Sequence, residues 1–143
     1  MLEIKTSLII KVPIKKVWDQ LINFKTYPQW NAFMPRIEGV QSVGERLVVD
    51  IVPPGGKKAT FKPILTKCSE NAEMRWVGVL GSRFLFRGEH YFILEEIDEK
   101  TTRFIQAEVF TGILVPLFAA LAAKKTRDGF SLMNECLSKE LQT

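Results

Sequence analysis

A chain of 143 residues with 46% hydrophobic side chains is long enough for one domain with a full core, and too apolar to stay disordered. The net charge of +4 comes from 20 basic and 16 acidic residues that are intermingled, so the basic stripe of a nucleic-acid-binding protein is missing and no nucleic-acid partner is expected. Two cysteines and a single histidine, His90, leave no spaced Cys/His set for zinc, and neither a metal nor a cofactor is expected.

The chain opens with an alternating segment. Ile4, Thr6, Leu8 and Ile10 lie on one face of Glu3–Lys11, while Glu3, Lys5, Ser7 and Lys11 lie on the other, which predicts a half-buried strand. Pro13 suits the first turn of a helix, where its missing N–H costs nothing. Val17, Trp18, Leu21 and Ile22 then predict a helix from about Ile14 to Ile22, ending near Asn23. Phe24, Tyr27 and Trp30 follow, with Pro28 among them. A residue before proline is biased toward extended backbone, so Tyr27 is expected to be extended before a second short helical turn. Helices this short do not stand alone in water. Their large apolar side chains have to close something larger.

From Ile37 to Gly112 the chain reads as strands. The segments are Glu38–Ser42, Arg46–Val52, Ala59–Ser69, Glu73–Leu80, Phe84–Ile97 and Thr101–Thr111. Pro53-Pro54-Gly55-Gly56, Glu70-Asn71 and Gly81-Ser82 break the pattern. The gaps are too short for crossover helices, so the pairing is expected to be antiparallel. Val109–Ala123 is the most apolar run, yet at about 15 residues, with Gly112 and Pro116 inside, it falls short of the roughly 20 a spanning helix needs.

The tail changes period. Leu114, Leu117, Phe118, Leu121, Ala122, Phe130, Met133, Leu137 and Leu141 recur three or four apart, which predicts one amphipathic helix from about Val115 to Leu141. Gly129 sits inside it, at a cost near 1 kcal/mol relative to alanine. Two readings stand for Gly129: a close approach of sheet or ligand, or a weak point. No repeat, linker or second domain is visible, so residues 1–143 are expected to form one domain. The start, MLEIKTSL, lacks the apolar core of a signal peptide. A cytoplasmic, reducing setting is therefore expected, with Cys68 and Cys136 as inert thiols.

The element order is strand, two short helices, a meander of about six strands and a long helix. Together with Val12-Pro13, Val17-Trp18, Leu21, Phe24, Tyr27-Pro28, Trp30-Asn31 and Phe33, it resembles the START-like superfamily with the helix-grip fold. Trp76 with Gly78, Gly88-Glu89-His90 with Phe92, Thr102-Arg103-Phe104, and Glu108 with Phe110 and Gly112 extend the resemblance over nearly the whole chain. The branch it is most similar to is the polyketide cyclase/dehydrase-like and lipid-transport group. The Asp98-Glu99-Lys100 turn departs from it, since relatives often carry glycine there. The resemblance implies an α+β fold, with a curved antiparallel sheet of about seven strands wrapped around the long C-terminal helix. It also implies a hydrophobic cavity between them for a lipid, polyketide, sterol or other apolar molecule.

Alternation places candidate residues on the lining. A three-residue loop, Asp98–Lys100, would pair Ile97 with Thr101. Counting back sets Leu94 opposite Phe104, Phe92 opposite Gln106 and His90 opposite Glu108. Three readings remain open for the imidazole and carboxylate: a cross-strand pair with no ligand role, a ligand anchor, or a catalytic acid/base pair. Trp76 is either cavity wall or plain core. The resemblance puts Trp30 and Phe33 at the cavity mouth, and Phe110 shares the face of Glu108. From the long helix, Phe118, Leu121 and Ala122 are expected to face the sheet.

The apolar lining with few polar groups favours a carrier or sensor of a small hydrophobic ligand. An enzyme of the cyclase, dehydratase or hydrolase kind, using His90 and Glu108, is the alternative. There is no nucleophile elbow and no second histidine to support it. A protein-interaction module, as in the heat-shock ATPase activator branch, ranks third. Transient membrane contact through Gly112–Ala123 is compatible with lipid loading. Ligand identity and oligomeric state stay open.

Overall fold

A computed structural model describes residues 1–143. The expected alternation of the first segment is met: β1 (Leu2–Ile10) buries Ile4 and Ile10 and exposes Glu3, Lys5 and Ser7. Pro13, with extended backbone at ψ 148°, caps α1 (Ile14–Ile22), which buries Val17, Trp18 and Leu21. A 3-10 turn (Phe24–Thr26) leads into α2 (Tyr27–Trp30).

Tyr27 is helical, with φ −52° and ψ −40°, not extended as expected from Pro28. The override is tertiary. The Tyr27 ring is fully buried and its hydroxyl donates to the Leu21 carbonyl at 2.6 Å, which holds the residue in place.

The strands form two antiparallel sheets. A five-stranded sheet runs β1-β8-β7-β6-β5, from β5 (Ile64–Ser69), β6 (Glu73–Leu80), β7 (Phe86–Asp98) and β8 (Thr101–Thr111) together with β1. A three-stranded sheet joins β2 (Arg36–Glu38), β3 (Val48–Ile51) and β4 (Ala59–Phe61). The expected single sheet of about seven strands is thus replaced by five plus three. The segment Ala59–Ser69 divides at Lys62-Pro63, where proline has no N–H for a ladder. Backbone bonds from Gly44 to Leu65, from Leu65 to Glu45 and from Leu47 to Pro63 stitch the two sheets together.

The β7–β8 register follows the alternation: Leu94 pairs with Phe104, Phe92 with Gln106 and His90 with Glu108. Its turn differs from the expected three-residue loop. Asp98 pairs with Thr101, and a bulge at Ile97 absorbs the extra residue. The Asp98 side chain accepts the Lys100 N–H at 2.8 Å, which closes the tight turn without glycine.

The long helix α3 (Val115–Leu141) lies over the concave face of the five-stranded sheet and packs chiefly on β1 and β8. Its two halves differ. Gly129, Phe130, Met133, Asn134 and Leu137 are buried in the C-terminal half, whereas Val115 is the one buried residue of the first three turns. Leu117 and Leu121 are 58% and 72% exposed, so the expectation that Leu121 faces the sheet is not met. In the N-terminal half of α3, Phe118 packs on Phe86 of β7 and Phe110 of β8, while Leu117 and Leu121 face away from them.

Candidate functional site

Strand phase builds the site. On β6 the residues Met74, Trp76 and Gly78 share a face; on β7 the matching row is Gly88, His90 and Phe92; on β8 it is Gln106, Glu108 and Phe110. Register sets Trp76 beside His90 and His90 beside Glu108, and Gly78 beside Gly88 and Gly88 beside Phe110. One row is therefore aromatic and polar, and the next is a pair of glycines.

His90 is 2% exposed. The Trp76 indole stacks on its ring at 5.1 Å, and Phe92 and Phe130 each lie 4.9 Å away. Its Nδ1 is 3.1 Å from Glu108 Oε1, and its Nε2 is 3.1 Å from Gln106 Oε1. Gln106 is fully buried, and its amide donates to Asn134 Oδ1 at 2.8 Å and to the Phe130 carbonyl at 3.3 Å. Asn134 in turn donates to the Thr6 hydroxyl at 2.8 Å, and Thr6 donates to the Gln106 carbonyl at 2.9 Å. A chain of polar groups thus crosses the core from β8 to α3 and β1, and every member of it is bonded.

At the His90 end of the chain Glu108 reaches outward, with its side chain 18% exposed. An ideal Cβ on Gly88 would overlap Glu108 Oε2, so that oxygen lies over the glycine. At Gly78 a Cβ would meet nothing within 4 Å. Phe86, Phe110 and Phe118 cluster together, with Phe110 beside Gly88 and 4.4 Å from Phe118, and Phe86 5.2 Å from Phe118. The inner end of the space between sheet and helix is filled by the protein's own aromatic rings. At the outer end of this face a Cβ on Gly78 would meet open space, whereas at Gly88 Glu108 Oε2 and the Phe110 ring already fill it.

No three His, Cys, Asp or Glu side chains gather in the structure. A surface hollow of about 790 Å³ lies between Ile22–Pro28 and Arg36–Gln41 and includes none of the candidate residues in its walls. Its walls mix the charged Lys25, Arg36 and Glu38 with the apolar Ile22, Phe24 and Ile37, and the buried chain does not reach it.

A family model described as polyketide cyclase / dehydrase and lipid transport matches residues 1–140. The chain belongs to that family. Solved structures agree on the fold of this polyketide cyclase/dehydrase and lipid-transport member. A START superfamily protein from Mycobacterium smegmatis superposes with a TM-score of 0.77 at 14% identity, over 98% of this chain and 97% of that one. A protein from Thermus thermophilus gives 0.76 at 18%, over 99% and 97%. Norcoclaurine synthase from Thalictrum flavum, solved with dopamine and hydroxybenzaldehyde, gives 0.73 at 14%, over 99% and 86%. At such identities the likeness is one of fold. No curated protein matches the sequence.

Within this family member, the predicted residues separate into groups. Phe33, Trp76, His90, Phe92, Gln106 and Glu108 form one contiguous set, with Phe33 joined through Phe130 at 5.9 Å. Phe110 and Phe118 form a second, aromatic group. Trp30 packs on Tyr27 at 4.9 Å and donates its indole N–H to Thr26, inside the core of the short helices. Leu121 points into solvent. Thr6, Phe86, Gly88, Phe130 and Asn134 join the site without having been named as lining residues. Two of them carried a signal, because Thr6 and Asn134 are polar residues on otherwise apolar faces of β1 and α3.

Gly129 has a defined role. A Cβ there would overlap the Phe33 ring, so the helix backbone is the surface against which Phe33 packs. The thiol of Cys68 is pushed up from its ordinary value by burial, which lowers its thiolate fraction and its reactivity. No helix is long and apolar enough to cross a membrane.

Proposed function

We propose that the protein binds a small hydrophobic molecule between the concave sheet face and the N-terminal half of α3, as a carrier or sensor. The observation that carries this is the facing glycine pair Gly78 and Gly88. Two adjacent strands both lack side chains at facing positions, a Cβ at Gly78 would meet open space, and the Glu108 carboxylate and the Phe110 ring lie at Gly88 beside it. Apolar walls with a single polar terminus suit a largely hydrocarbon or aromatic ligand with one polar group. Family membership supports the same reading, since its description joins lipid transport with cyclase and dehydrase chemistry. Phe110 and Phe118 would contact the apolar body of the ligand, and Glu108 its polar end.

The second reading, a cyclase or dehydratase, draws on the His90–Glu108 pair and on the enzyme among the solved relatives. His90 is walled in by Trp76, Phe92 and Phe130, so any proton exchange with a substrate would pass through Glu108. This burial favours binding over catalysis. A cytoplasmic setting and a single domain complete the proposal.

Native mass spectrometry of freshly purified protein, followed by organic extraction, tests the function. A stoichiometric apolar adduct supports carriage and identifies the chemical class. A clean unliganded mass after gentle purification, and again after incubation with a total lipid extract, counts against it.

A further inference from the structure

We infer that the Gln106–Asn134–Thr6 chain holds a hydrogen permanently on His90 Nε2, so that Nδ1 shares its hydrogen with Glu108 and the outward Oε2 accepts from a ligand hydroxyl. The hydrogen directions follow from two backbone carbonyls, which can only accept. The Phe130 carbonyl lies 3.3 Å from the Gln106 amide nitrogen, so that end of the amide is the NH2. The same NH2 donates to Asn134 Oδ1, which leaves Asn134 Nδ2 to donate to Thr6. Thr6 can accept because its own hydrogen is committed to the Gln106 carbonyl. Turning the Gln106 amide over would set two oxygens against each other at Phe130 and would force Asn134 to turn as well. With the amide fixed, Gln106 Oε1 faces His90 Nε2 at 3.1 Å and needs a hydrogen from it.

Nδ1 then faces Glu108 Oε1 at 3.1 Å. Two bare acceptors at that separation repel, so one hydrogen lies between them. Imidazolium with carboxylate, or neutral imidazole with carboxylic acid, both satisfy the geometry and give the pair no net charge. The remaining oxygen, Oε2, lies over Gly88, whose cross-strand partner Gly78 faces open space. It offers lone pairs, which suits an alcohol or phenol on an apolar body and disfavours a carboxylate. Gln106, Asn134 and Thr6 are positioning residues, because none of them borders the gap. The head-group preference rests on the binding function proposed above, whereas the hydrogen placement stands without it.

The tag-free full chain labelled with 15N-histidine reports a single ring, because His90 is the one histidine. Ring nitrogen shifts and N–H couplings are expected to show Nε2 protonated in the wild type. In Glu108→Gln the ring is expected to be neutral, with Nε2–H kept and Nδ1 bare. A bare Nε2 with protonated Nδ1 in either protein would overturn the hydrogen placement. Titration calorimetry with 2-naphthol and 2-naphthoate tests the head group. The wild type is expected to prefer the naphthol by about tenfold, the scale of one hydrogen bond, and Glu108→Gln to lose that preference. Equal or tighter binding of the naphthoate would overturn the head-group preference. Binding of neither compound would overturn the head-group preference, while the binding function is decided by the lipid-extract experiment and the hydrogen placement by the ring spectrum.

Discussion

The Glu108 carboxylate stands over Gly88, in the space that a side chain on the neighbouring strand would occupy. That relationship ties the polar end of the site to a missing methyl group. Gly88→Ala would push Oε2 aside and lengthen the contact between Glu108 and His90. The carboxylate is the far end of a flexible side chain, so the fold should survive with a loss of about 1 kcal/mol. The expected signature is a changed Nδ1 environment of His90 by NMR, with the far-ultraviolet circular dichroism of the wild type.

Phe33 and Gly129 make a second close approach. Alanine normally favours a helix interior over glycine by about 1 kcal/mol. Here the added methyl would overlap a buried ring, and overpacking typically costs about 1–3 kcal/mol. Gly129→Ala is therefore expected to destabilise the protein in urea unfolding. A gain in stability would show that the ring moves aside freely.

The buried polar chain should behave as a unit. Gln106→Leu strands the His90 N–H and Asn134 Oδ1, while Asn134→Leu takes one partner from each of Gln106 and Thr6. Each is expected to cost about 1–3 kcal/mol, because a buried polar group without a partner loses its solvation. The double variant should cost clearly less than the sum, since the second change removes groups already stranded. Additive losses in a denaturant double-mutant cycle would mean that the bonds act independently.

Tyr27 sets a stability limit at high pH. Its hydroxyl is pushed far above the ordinary tyrosine value of 10.0 by burial, and it donates to the Leu21 carbonyl. The unfolded chain releases this proton near pH 10 and the native protein does not. The contribution is therefore complete below that pH and declines as pH rises through and beyond it. Urea midpoints should fall above about pH 10 in the wild type and fall less in Tyr27→Phe. Tyr91 also shifts upward, first through burial and then through its bond to Glu3, so the comparison isolates Tyr27.

Local patterns carried much of the fold. Alternation along Phe84–Ile97 and Thr101–Thr111, counted back from a three-residue loop, placed His90 opposite Glu108; the pairing held although the loop is shorter, because the bulge at Ile97 keeps the buried faces in phase. The extent of α3 followed from its apolar repeat. The same repeat misplaced Leu121, since periodicity shows that a stripe exists and not where the sheet beneath it ends. The Asn134–Thr6 bond joins residues 128 positions apart and left no local trace beyond two polar residues on apolar faces. Tyr27 escaped its proline rule because a buried ring and hydroxyl outweighed a backbone preference. The split of Ala59–Ser69 between two sheets was marked by Pro63, whose meaning depended on which strands lay alongside.

Occupancy of the gap above Gly78 tests the central claim most directly. A Cβ at Gly78 meets nothing within 4 Å, so Gly78→Phe fills the gap without a clash at its first atom, and an aromatic residue suits a strand. Native mass spectrometry of the wild type and this variant, both exposed to the same lipid extract, is the comparison to make. The account predicts a one-to-one apolar adduct on the wild type and none on the variant, with equal melting temperatures. An adduct held equally by both proteins would contradict it, because the ligand would then lie elsewhere.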